Sequence, residues 1–98
     1  MITLVAEHWI TPEFMDGAMK VFRDNTEKPK EGGGFVSRLV LKSLSDPSKI
    51  TTVTTWKTEE EYQKFMAALE KGRAQQDPNA PKAMLGEKLE GYQVIISA

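Results

Sequence analysis

The sequence of 98 residues predicts an α+β domain of ferredoxin-like βαββαβ order, with one antiparallel sheet and both helices on the same face. Three observations carry that prediction. Residues 1–10 and 35–44 alternate with the period of a strand, residues 50–55 are a β-branched run, and residues 14–22 and 62–69 repeat their apolar side chains at helical spacing. A chain of this length builds one core, so 1–98 is expected to be one domain.

In the first strand, Ile2, Leu4, Ala6, His8 and Ile10 share one face, and Thr3, Val5, Glu7 and Trp9 share the other. Thr11 and Pro12 follow as N-cap and first helical residue, where the missing proline N–H costs nothing. Phe14, Met15, Ala18, Met19 and Phe22 form the apolar face of the first helix, with Val21 at its edge, and the helix is expected to fade within 25–30. The glycines at 32–34 follow a helix and precede a strand. A phosphate cradle needs the reverse order, with lysine and hydroxyl after the glycines, so this run reads as a flexible link.

Phe35 to Leu44 alternates, and Ser45, Asp46, Pro47 and Ser48 signal a turn, so the second and third strands should pair as an antiparallel hairpin. The third strand ends in Trp56 and Lys57. Thr58 then stands as N-cap with Glu61 three residues on, a capping box that opens the second helix. Tyr62, Phe65, Met66 and Leu69 fall at i, i+3, i+4 and i+7 on its apolar face. Glu59 to Glu61 complement the helix dipole and are not a metal site. Asp77-Pro78 and Ala80-Pro81 break the chain, Pro81 to Lys88 has room for a short helical turn, and 72–88 is placed to act as a lid. Glu90 to Ser97 is the expected last strand, with Tyr92, Val94 and Ile96 on one face.

Helices on one face leave the other uncovered, although both carry apolar residues: Phe35, Leu39 and Leu41 oppose Val36, Val40 and Leu44, and Val5 and Trp9 oppose His8. An open apolar face predicts a homodimer, with Val5, Trp9, Val36 and Val40 in the interface and Trp9 as its anchor.

The composition excludes several classes of function. A net charge of −1, from 13 basic and 14 acidic residues spread along the chain, argues against nucleic-acid and membrane partners. No cysteine is present, so disulfides and thiolate chemistry are excluded, and with no signal peptide or apolar span in view the expected location is the cytoplasm. No histidine, cysteine or aspartate spacing suits a metal.

Val5-Ala6-Glu7-His8, Gly34-Phe35, Ser45-Asp46-Pro47, and Val53 to Thr58 followed by Tyr62 and Phe65 together resemble the antibiotic biosynthesis monooxygenase (ABM) domain of the dimeric α/β-barrel superfamily. The likeness covers about residues 1–97. It implies a pocket between sheet and helices in each subunit, two sheets joined into one barrel, and oxidation of quinol-like or polyketide aromatics without metal or flavin. One branch of that family binds and degrades haem through an asparagine on the first strand, a tryptophan on the second helix and a histidine near that helix's end. Here those places hold His8, Phe65 and Gln75, all departures, and the histidine that quinol-oxidising relatives often carry near Phe65 is also absent.

His8, the only histidine, is the candidate general base for a phenol or quinol, because its unperturbed pKa lies near neutrality. The bland alternative is a hydrogen-bonded residue at a strand end. Trp56 either lines a pocket and stacks on an aromatic substrate or plugs the core beneath the second helix. Phe22, Phe65, Met66, Leu69 and Tyr92 complete the candidate pocket wall. Arg23, Arg38 and Arg73 are each able to hold an anionic group, and the sequence does not choose among them. The expected function is thus a homodimeric, cofactor-independent monooxygenase of an aromatic or quinol-like molecule. The alternatives are a non-catalytic barrel that binds a small apolar ligand and, third, a haem protein with His8 as axial ligand.

Overall fold

A computed structural model describes residues 1–27, 34–74 and 84–98. Along the chain run β1 (Ile2–Ile10), a 3-10 turn (Pro12–Phe14), α1 (Met15–Glu27), β2 (Phe35–Lys42), β3 (Lys49–Trp56), α2 (Glu59–Ala74) and β4 (Met84–Gln93). The sheet order is β2-β3-β1-β4, and every neighbouring pair is antiparallel. This is the ferredoxin-like α+β fold that the sequence predicts. Gly32, Gly33, Gln75 and most of the suggested 72–88 lid lie outside the described residues.

Local chemistry explains each junction. The Phe14 N–H donates to the Thr11 carbonyl at 2.9 Å, closing the turn that proline opens. Between β2 and β3, the Asp46 N–H donates to Ser43 Oγ at 3.0 Å and the Ser48 N–H to Asp46 Oδ1 at 2.9 Å, so side-chain oxygens stand in for missing backbone acceptors. At the start of α2 the Glu61 N–H donates to Thr58 Oγ1 at 3.4 Å, the cap expected from the sequence.

Register assigns every strand residue to a face. His8 pairs with Ile50, Ala6 with Thr52, Leu4 with Thr54 and Ile2 with Trp56. Leu4, Ala6, His8, Ile10, Ile50, Thr52, Thr54 and Trp56 are all buried, and Phe22 of α1 and Phe65 of α2 rest against His8 and Trp56, so both helices cover this one face. Two glycines let α2 settle onto the sheet. A Cβ on Gly91 would lie 2.5 Å from the Tyr62 hydroxyl oxygen, and one on Gly34 would overlap the Glu61 side chain.

Two expectations are corrected. The last strand runs over Met84–Gln93 rather than from Glu90 to Ser97, so the described part of Pro81 to Lys88 is strand and not helical turn. Its partner decides this: β1 pairs with residues 84–93 along its length, while Val94 is tied only by its N–H to the Met1 carbonyl at 2.9 Å. Val40, expected on the open face, pairs with Thr52 and therefore points to the helix side. The register shift between Phe35 and Ser37 inserts a residue that reverses the parity read from the sequence, so Leu39 and Leu41 take the open face. No described helix is long and apolar enough to cross a membrane.

Candidate functional site

The helix-facing side of the sheet is large at its ends and small in its middle. Ile10 and Ile50 fill one end and Trp56 the other, whereas Ala6, Thr52 and Thr54 lie between them. Close packing needs matched volumes, and short side chains facing Ala68 of α2 leave space unfilled. The result is a cavity of about 430 Å³, floored by Leu4, Ala6, Thr52 and Thr54, roofed by Phe22, Phe65 and Leu69, and closed at the β4 edge by Leu89. That volume lies in the range of small-molecule sites, roughly 300–1,000 Å³.

Three ionisable side chains enter the cavity wall. His8 is 9% exposed, and its Nδ1 lies 3.0 Å from Glu87 Oε2. The pair follows from register, because β4 sets Glu87 directly opposite His8. The Phe22 ring lies 5.2 Å from the imidazole, tilted by 48°, and screens this pair from the α1 side. Arg38 of β2 enters beside Thr54, to which its Nη1 donates at 3.2 Å. Burial pulls the Arg38 guanidinium below its ordinary pKa, although a guanidinium stays charged at neutral pH.

The candidates chosen from the sequence separate by place. His8, Phe22, Phe65 and Leu69 line the cavity. Trp56 is core: it is 6% exposed, with the Phe65 and Tyr62 rings 5.0 and 5.8 Å away, and it lies outside the lining. Met66 is half-buried and also outside the lining. Tyr92 is corrected, since it pairs with Thr3 on the open face and its hydroxyl donates to Glu90 at 2.7 Å. That bond raises the Tyr92 pKa above its ordinary value. On the open face too are Val5 and Trp9, with Lys49 Nζ 5.3 Å from the Trp9 ring centroid, while Val36 is exposed at the register shift.

Glu87 is the residue that sequence reasoning missed. Its signal was the alternation of Glu87, Leu89 and Gly91 against Lys88 and Glu90, hidden by the prolines before it. Of the three arginines, Arg23 is exposed, the Arg73 side chain lies outside the described residues, and Arg38 reaches the cavity. Among the described residues, no three histidine, cysteine or acidic side chains are grouped as a metal site.

Fold and cavity together define a ferredoxin-like domain with a ligand-sized pocket between sheet and helices. The family model described as antibiotic biosynthesis monooxygenase matches residues 1–77, and the chain belongs to that family. A comparison with curated proteins finds no match. Among solved structures, the chain is similar to the heme-degrader MhuD of Mycobacterium tuberculosis with two hemes bound in its active site, at TM-score 0.74 and 15% identity, over 100% of this chain and 99% of that one. It is also similar to a provisionally assigned antibiotic biosynthesis monooxygenase of Deinococcus radiodurans, at TM-score 0.76 and 12% identity over 100% and 96%. A conserved protein of Methanosarcina mazei Go1 matches at 0.71 and 17% over 94% and 90%. Identities this low establish the fold alone.

Proposed function

We propose that this chain is a homodimeric, cofactor-independent monooxygenase of an aromatic or quinol-like small molecule, with His8 as general base. The observation that carries the reading is the His8–Glu87 pair in the wall of an otherwise largely apolar cavity. The Glu87 carboxylate, 3.0 Å from Nδ1, would stabilise the imidazolium that forms when Nε2 takes a proton from the substrate. His8 is then the catalytic residue and Glu87 a positioning residue.

The chemistry balances without a resident redox group. Nε2 removes a phenolic proton, electron density moves into the ring, and dioxygen adds at a ring carbon to give a hydroperoxide. Loss of water leaves a quinone, so one oxygen atom stays in the product and the other leaves as water. The apolar walls exclude bulk water from the ionised ring. The homodimer is supported by the open face, where Val5, Trp9, Leu39, Leu41 and Val53 share one side of the sheet.

Oxygen uptake with a panel of hydroquinones tests the reading. The expected outcome is enzyme-dependent consumption that falls roughly 10²- to 10⁴-fold in His8→Gln and by a smaller factor, with KM little changed, in Glu87→Gln. No consumption with any hydroquinone would leave the non-catalytic binding barrel in its place.

Haem is a second reading, favoured by the same pair. A carboxylate 3.0 Å from Nδ1 stands where a metal-ligating histidine commonly has its outer partner, and His8 would be the residue to hold the iron. Haem would supply iron-centred oxygen chemistry. A saturable Soret change on hemin titration, lost in His8→Ala, would put this reading ahead of quinol oxidation.

A further inference from the structure

The cavity is electrically polarised along its length. Glu87 and His8 lie toward the β4 side, and Arg38 and Thr54 toward the β2 side, with the short floor of Ala6 and Thr52 between them. In register, Arg38 pairs with Thr54 and His8 with Ile50, so the two sites are four residues apart along β3 and two strands apart across the sheet. At strand spacings this is about 13 Å along and about 10 Å across between backbones, and long side chains shorten the gap.

We propose that Arg38 anchors a carboxylate on the substrate, so that the aromatic molecule taken by this pocket is an aromatic acid whose hydroxylated ring lies away from the acid group, at His8. This rests on the monooxygenase reading for the fate of the ring, but not for binding. A guanidinium is planar, and its parallel N–H bonds match the two oxygens of a carboxylate. The bond from Nη1 to Thr54 fixes the plane of that fork against the floor. The orientation has one sense only, because Glu87 repels a carboxylate from the His8 end. An uncharged quinol would lack this anchor.

The test is equilibrium binding under anaerobic conditions, where no turnover intrudes, with 6-hydroxy-2-naphthoate and 2-naphthol as probes. These share the ring and hydroxyl and differ in the carboxylate at the far end. The unmodified chain is expected to bind the acid at least about tenfold more tightly. Arg38→Met is expected to abolish that preference by weakening the acid and leaving 2-naphthol unchanged, and Arg38→Lys to restore part of it. Thr54→Val, which keeps the guanidinium and removes its fixing oxygen, is expected to reduce the preference without reversing it. Equal affinity for the two probes, no saturable binding of the acid, or an equal loss for both in Arg38→Met would overturn the proposal. Since oxygen uptake plays no part, failure of the oxygenase reading leaves this outcome legible, and the reverse also holds.

Discussion

The two faces of the sheet share a backbone and differ in almost everything else. On the helix side Leu4, Ile10 and Ile50 are between 1% and 3% exposed, whereas on the open side Leu39 is 55% and Leu41 45% exposed. Alternation places each residue on its face, and the layer above decides what that face becomes. Where α1 and α2 meet large side chains the space closes into core. Where they meet Ala6, Thr52 and Thr54 it stays open, and the ionisable His8, Glu87 and Arg38 sit at that opening. Among the described residues no such layer covers the open face, and its cross-strand contacts are of another kind: the Thr3–Thr55 hydroxyl pair at 2.8 Å and the Glu7–Lys49 ion pair at 2.8 Å.

The contrast is broken most severely at Trp56. Trp56→Ala removes the ring that Tyr62 and Phe65 pack against and is expected to lower stability by about 3–5 kcal/mol in denaturant melts. A loss below about 1 kcal/mol would mean that the helix side is not the core. Next comes Gly91→Ala, where the new methyl meets the Tyr62 ring. The expected cost is about 1–3 kcal/mol, most of it recovered by pairing the change with Tyr62→Ala, and additive losses would contradict the close approach of α2.

On the open face the expected effects are smaller for the fold and larger for assembly. Leu39→Lys should change the stability of an isolated subunit by no more than about 0.5 kcal/mol. It should also move the proposed homodimer toward monomer in sedimentation velocity. A variant that stays dimeric would place the interface elsewhere. Smallest of all is Glu7, whose carboxylate is held below its ordinary pKa chiefly by the Lys49 hydrogen bond, then by the charges of Lys49 and Lys88 against some desolvation. A depressed folded-state pKa stabilises above the unfolded value and is lost as pH falls through the folded one. The stability gap between the unmodified chain and Glu7→Gln should therefore close on acidification, and a gap that widens would reverse the sign.

What was legible in the sequence followed the strength of local signals. β1, the hairpin and the Thr58 cap carry period, turn chemistry and a side-chain acceptor within a few residues, and each forms where those signals lie. β4 has little of its own: in Met84–Gln93, glycines and charges interrupt the apolar residues, and pairing with β1 makes it a strand. Glu87 was hidden for that reason, because its meaning lies in standing opposite His8. Val40 and Arg38 were obscured by the register shift at the start of β2, which no composition signal marks. His8 was visible because it is the only histidine, and its partner was not, because pairing across strands is a property of the fold.

The same singularity makes the central claim directly measurable. A long-range proton–nitrogen NMR spectrum of the lone imidazole reports which nitrogen carries the proton, with no assignment to resolve. A neutral ring protonated at Nδ1, with an unprotonated Nε2 whose signal moves when 6-hydroxy-2-naphthoate is added and whose tautomer is lost in Glu87→Gln, is the predicted result. An Nε2-protonated ring, indifferent to both Glu87 and the probe, would contradict the assignment of His8 as the base of this cavity.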